Sequence, residues 1–272
     1  MQLVSKSLLR CIARFLFHLA LACLLPAFAW AQGGPPLLTD DPGTPGNGNW
    51  EFNIGFTQDV TPDLHTFAMP VFDLNYGLGP RLQLNYQVPY ALVGDQGQPL
   101  QRGWGNSQAA VKWRFFQGKD WNFSTYPRLE FDGPAGSLRR GVADPGPNFL
   151  LPFEITRKVG PVDVNFEAGY RFSQGDDEDI LGLAFGHQAT KKLEVLGEVY
   201  HSGDIHGGGS DDTFDGGGRY EFHRGLLFLF MAGRSFLGPS SGQSQFIGYF
   251  GLQIQIERRR QSDPLPSSAL IH

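Results

Sequence analysis

Apolar and polar residues alternate with a period of two along twelve stretches of this chain, most of them 10 to 12 residues long. Trp50, Phe52, Ile54 and Phe56 alternate with Glu51, Asn53 and Thr57. Val162, Val164, Phe166, Ala168 and Tyr170 alternate with Asp163, Asn165, Glu167 and Arg171 in the same way. In a strand, successive side chains point to opposite faces, so each stretch predicts a strand with one oily and one wet face. The stretches fall at about 49–58, 66–77, 81–92, 106–117, 121–132, 147–158, 162–173, 180–189, 193–201, 213–222, 226–236 and 245–256. Globular strands are usually about five or six residues long, whereas a tilted bilayer crossing needs about nine to eleven. Two stretches are irregular: Pro70 shifts the alternation of the second, and LLFLFM at 226–231 is apolar on both faces.

Short and long connections alternate, apart from a brief first long-side link near Pro62. Tight turns at 77–80, 118–120, 159–161, 190–192 and 223–225 follow the even-numbered stretches, and longer polar loops at 94–105, 133–146 and 202–212 follow odd-numbered ones. An up-and-down antiparallel barrel with turns on one rim and loops on the other has this arrangement. A β-sandwich also has one wet face, but its edge strands usually carry protective charge. Here the oily face is free of Asp, Glu, Lys and Arg over about ten stretches, and aromatic residues such as Trp50, Tyr76, Trp121, Tyr170 and Phe222 recur near stretch ends. The expected fold is therefore all-β, an antiparallel up-and-down transmembrane β-barrel of about twelve strands spanning 50–256.

Residues 1–31 carry Lys6, Arg10 and Arg14, then an apolar run broken by Pro26, then Ala29-Trp30-Ala31, the order of a signal peptide. A membrane anchor would need a longer uninterrupted run, and a lipoprotein reading at Cys23 lacks a polar linker after it. Cleavage would remove both cysteines, Cys11 and Cys23, leaving neither disulfide nor thiolate chemistry. It would also take three positive charges from a chain of net charge −5, leaving −8, a poor match to nucleic acid. The expected location is the bacterial cell outer membrane, with both termini periplasmic, and the expected partners are outer-membrane lipids, the barrel-assembly machinery and a small-molecule solute.

Residues 32–49 are rich in Pro and Gly and read as an extended N-terminal arm bearing Asp40 and Asp41. The wet face holds Glu51, Asp73, Lys112, Arg114, Arg128, Glu130, Glu154, Asp163, Glu167, Arg171, Glu194, Glu198, Asp215, Arg219 and Glu221. Ten of these are acidic and five basic, so many can pair across a lumen while leaving a surplus that favours cations. The arm is expected to fold toward the periplasmic mouth, its two carboxylates close to Lys112, Arg114, Arg128 and Arg171; the alternative is a flexible leash. Residues 257–272 read as a disordered periplasmic tail.

PLLTDDPGTPGNGNWEFNIGF at 36–56 and GWGNSQAAVKWRFF at 103–116 resemble the family of outer-membrane β-barrel transporters assigned to a meta-cleavage pathway of phenol degradation. Asp40, Asp41, Pro42, Trp50, Glu51, Lys112, Trp113, Arg114 and Phe115 match its two motifs, and Asn106 stands where that family carries an acid. The resemblance implies a channel for passive uptake of small hydrophobic or aromatic solutes. Other chemistry is weaker. Gly238-Pro239-Ser240-Ser241-Gly242 fits a nucleophile pattern but lies in a loop rather than a strand-to-helix turn. His201, Asp204, His206, Asp211 and Asp212, and the acidic run 176–179, read as loop residues rather than cation sites, so neither metal nor cofactor is expected. A lipid-modifying barrel enzyme would need a Ser and a His together on the lipid face, and the register offers no such pair; a structural barrel with a plugged lumen is the other alternative.

Overall fold

The computed structural model describes residues 34–95, 97–133, 136–175, 177–207, 209–236 and 243–258; the leader, the Gly238 to Gly242 pattern, Asp176 and the tail from Arg259 lie outside the described residues. Strands β1 (Trp50–Val60), β2 (Leu64–Leu78), β3 (Leu82–Asp95), β4 (Gln101–Trp104), β5 (Ser107–Gln117), β6 (Trp121–Thr125) and β7 (Arg128–Phe131) form the first half. Strands β8 (Asn148–Val159), β9 (Val162–Phe172), β10 (Glu178–Gln188), β11 (Leu193–Asp204), β12 (Ser210–His223), β13 (Leu226–Ser235) and β14 (Phe246–Ile256) form the second. All neighbours are antiparallel, and β1 pairs with β14 from Trp50 opposite Ile256 to Val60 opposite Phe246, which closes the sheet.

Two pairs of short strands each make one stave. β4 and β5 both pair with β3, and β6 and β7 both pair with β8, so the fourteen strands form a closed twelve-stranded barrel. The fourth stretch is one strand as expected; the sequence reading is corrected in that the fifth stretch is interrupted at Tyr126–Pro127 and part of the 94–105 loop is strand. Between β6 and β7, Pro127 has no N–H to give to the ladder, and its carbonyl accepts from Val111 at 3.2 Å. Between β4 and β5, Gly105 donates to the Pro89 carbonyl at 2.9 Å instead of continuing the regular pairing. In β2 the shift at Pro70 is a bulge, with register lost between Ala68 and Val71.

Alternation assigns the faces as expected. Phe166, Phe185 and Leu252 turn outward and are about two-fifths exposed, whereas Asn165, Ala184 and Gln253 turn inward and are buried. An outer belt of large apolar side chains on every side exceeds what a water-soluble surface carries and matches a bilayer-facing wall. Arg157 is an outward arginine, but it sits at the short-turn rim with its guanidinium 4.7 Å above the Trp121 ring. Aromatic pairs band both rims: Trp50 with Tyr76 at 4.6 Å on the short-turn side, and Tyr170 with Phe172 at 4.5 Å on the long-loop side.

Candidate functional site in the barrel lumen

The arm runs inside the barrel. It enters beside β2, where Gly48 donates to the Gly77 carbonyl at 2.7 Å and Gly77 donates to the Asn49 carbonyl at 3.0 Å. A Cβ on Gly77 would lie 1.8 Å from the Gly46 carbonyl oxygen, so this close passage requires glycine. From there the arm climbs to the middle of the staves. The Glu198 carboxylate on β11 accepts the N–H groups of Leu38 and Thr39, and Glu167 on β9 accepts that of Asp40 at 2.8 Å. Such charge-assisted bonds satisfy backbone donors that the lumen would otherwise strand.

The Asp40 side chain meets two cations. Lys112 on β5 donates to Oδ1 at 2.6 Å and also to the Asp41 carbonyl at 2.6 Å, while Arg128 on β7 lies 3.4 Å from Oδ2 and 3.0 Å from Glu167. Both cations also meet Tyr126, whose ring centroid is 4.5 Å from Lys112 Nζ and 4.7 Å from the Arg128 guanidinium. Burial alone would push the Asp40 carboxyl up; the charges of Lys112 and Arg128, with the Asp41 N–H, outweigh it and hold Asp40 below its ordinary 3.8. The arm ends its described course against β12, where Arg219 donates to the Gly34 and Pro35 carbonyls at 3.1 and 2.9 Å and pairs with Glu194 at 3.1 Å. Leu37 packs on Ala184, Leu196, Met231, Ile247 and Tyr249, an apolar patch inside the lumen.

Beside the arm a cavity of about 550 Å³ runs toward the long-loop rim. One wall is carboxamide-rich. Asn53 and Asn85 donate to Asp73, Gln83 donates to Asn75 at 2.6 Å, and Asn85 donates to Asn75 at 2.9 Å. The adjoining wall, from the arm, β13 and β14, includes Leu37, Met231, Ile247 and Tyr249. The cavity is thus polar on one side and apolar on the other.

Glu51 and Asp73 line this cavity, and Lys112, Arg128, Glu167 and Arg219 hold the arm. Glu154 is fully buried and accepts the Ser124 hydroxyl. Arg114 donates to the Pro80 carbonyl at 2.6 Å on the short-turn rim. Arg171 pairs with Glu130 at 3.2 Å and Glu178 at 3.3 Å, higher in the barrel, so the expectation that it holds the arm is corrected. The arm also reaches mid-height rather than stopping at the mouth, where Glu198 and Glu167 accept its N–H groups. The histidine-bearing loop is shorter than expected: β11 runs to Asp204 and β12 starts at Ser210, so His201 and Asp212 face each other across strands at 2.7 Å. Tyr126, Leu37 and Thr39 escaped the sequence reading; an aromatic of inward parity between Ser124 and Arg128 was the available signal for Tyr126.

No family model and no curated protein matches the amino-acid sequence. Among solved structures, the chain is similar to an outer-membrane channel from Pseudomonas putida F1, with 12% identity and a TM-score of 0.63 over 83% of this chain and all of that one. It is also similar to the KdgM porin in complex with oligogalacturonate, at 9% identity and a TM-score of 0.52 over 76% of this chain and 99% of that one. The NanC porin gives 5% identity and a TM-score of 0.51 over 76% of this chain and all of that one. The chain therefore shares the barrel fold of outer-membrane channels and porins.

Proposed function

We propose that the chain is a passive outer-membrane channel for small solutes with apolar or aromatic bodies, and that its N-terminal arm is the constriction. The observation that carries this reading is the arm docked at mid-height beside a cavity of about 550 Å³, half polar and half apolar. A twelve-stranded barrel falls between the side-chain-filled interior of eight strands and the open pore of sixteen. An arm in such a lumen narrows the passage without a dedicated loop. The apolar strip formed by Leu37, Met231, Ile247 and Tyr249 supports the aromatic solute class, in keeping with the resemblance of the 36–56 and 103–116 motifs to phenol-pathway transporters.

In this reading the leader is cleaved after Ala31, both termini are periplasmic, the outer belt meets outer-membrane lipid, and the last strand is handed to the barrel-assembly machinery. The deciding experiment is single-channel conductance of the mature protein in planar bilayers, compared with a variant lacking residues 34–47. The expected result is a small conductance that rises on deletion, with faster entry of phenol in liposome swelling. A wild-type barrel that is silent and stays silent after deletion would favour a structural barrel with a filled lumen.

A further inference from the structure

The long-loop end of the cavity carries oxygen acceptors without matching donors. Asp59 on β1 and Asp211 on β12 both line it. Ser244 joins them, its side chain hydrogen-bonded to Asp59 and its N–H donating to Asp211 Oδ2 at 3.3 Å. Asp211 Oδ1 is buried with no hydrogen-bond partner, and so is Thr213 Oγ1, on a residue only 3% exposed that also lines the cavity. Asp211 and Thr213 are two apart on one strand and share the inward face. The basic side chains lining the cavity among the described residues are Lys112 and Arg128, and Asp40 already faces both. The acidic end therefore lacks a neutralising cation of its own.

The apolar strip begins directly beside them. Asp59 stands opposite Ile247 in the β1–β14 register, and Met231 stands opposite Tyr249 in the β13–β14 register. Opposed residues in an antiparallel pair lie about 5 Å apart at Cα. A ligand can thus place a positive head among the carboxylates while its body lies on Ile247, Met231 and Tyr249. An ammonium group has three N–H donors and no acceptor, matching Asp59, Asp211 and the free Thr213 oxygen. A divalent metal is a poorer match, since among the described residues no three His, Cys, Asp or Glu side chains come together to hold one.

We propose that this end of the cavity is a binding subsite for a protonated amine carrying an aromatic or apolar body, the arylalkylamine class. The proposal rests on the channel reading for its physiological meaning and narrows its solute class.

Three probes with similar phenyl bodies and different heads test it: phenethylamine, 2-phenylethanol and 3-phenylpropionate. Titration calorimetry on the mature protein in detergent should show the amine binding about tenfold or more tighter than the alcohol, with the carboxylate weakest. The D59N/D211N double variant should lose that advantage and leave alcohol binding unchanged. Thr213→Val, which keeps shape and removes only the hydroxyl, should weaken the amine by a smaller factor. Equal affinity for amine and alcohol, or an unchanged preference in the double variant, would overturn the subsite. Potassium chloride conductance measured on the same preparations separates the two readings. A conducting barrel without amine preference refutes the subsite alone, and an amine-selective barrel that does not conduct refutes the channel alone.

Discussion

Gly182 of β10 faces Thr39 of the arm so closely that a Cβ on the glycine would lie 2.2 Å from Thr39 Oγ1. The wall has been cut back at this point to admit the arm. Thr39 is fully buried, so it has nowhere to retreat while Glu198 holds its N–H. Gly182→Leu should expel the arm without harming the barrel, since β10 keeps its full pairing with β9 and β11. The expected result is a conductance matching that of the 34–47 deletion, with normal heat-modifiable gel mobility. A conductance equal to that of the unaltered protein would show that the arm is not what narrows the passage.

Asp40→Asn removes the charge that Lys112 and Arg128 share. Removing one partner of a buried ion pair costs about 3 to 5 kcal/mol; Arg128 keeps Glu167, so the loss falls mainly on Lys112, and it should weaken docking and raise conductance toward that of the 34–47 deletion. The same event should follow acid titration. Asp40 titrates below 3.8, so its contribution to docking is complete above 3.8 and is lost only as pH falls through its own lower value. The conductance rise that protonation of Asp40 causes should therefore appear only below about 4. In Asp40→Asn that acid rise should be absent, because the arm is already released; an acid rise of equal size in the variant would assign it to another group.

Phe166 and Asn165 are neighbours on β9 with opposite surroundings, one on the outer belt and the other 3% exposed and hydrogen-bonded to Thr156 at 2.6 Å. Phe166→Arg should cost about 2 to 4 kcal/mol of insertion at the bilayer midplane. Asn165→Arg enters a face that already carries Asp163 and Glu167, which offer it partners. Folding yields in lipid vesicles should fall for the first and hold for the second. Similar yields would mean that the outer face does not meet lipid.

The closing pair β1–β14 is complete at Trp50 opposite Ile256, before the chain reaches Glu257. Truncation after Glu257 should leave barrel assembly intact, as read from heat-modifiable mobility. Failure to assemble would place an essential signal in the tail instead of the last strand.

The barrel was legible because its wall obeys one rule, inside polar and outside apolar, that writes itself into sequence every second residue. Even the exceptions had signatures. Pro70 marked the β2 bulge, and the doubly apolar LLFLFM places Leu229 and Met231 inside while Phe228 and Phe230 sit on the lipid side. The course of the arm was legible only in part. Asp40 and Asp41 drew attention to basic partners, and two of the four candidates, Lys112 and Arg128, hold Asp40. The depth of insertion was hidden because it is set by main-chain groups: the N–H of Leu38, Thr39 and Asp40 and the carbonyls of Gly34, Pro35 and Asp41. Every residue carries those groups, so no pattern of side chains announces their use. The pauses at Gly105 and Pro127 were masked for a similar reason, since the alternation resumes with the same parity beyond Pro127.

The grips on the arm come from far along the chain: Glu167 lies 127 residues after Asp40, Glu198 lies 160 after Leu38, and Arg219 lies 185 after Gly34. None can form until most of the wall has been synthesised and curled, and contacts of such long range are slow to close. Once β1 and β14 have joined, there is no side entrance. The ways in are then the two mouths, and the arm passes through the one at the short-turn rim, where Gly48 and Asn49 are bonded to Gly77. The seam itself is held by the β1–β14 ladder, while the arm braces the wall from within, tying β5 and β7 to β9, β11 and β12 across the lumen.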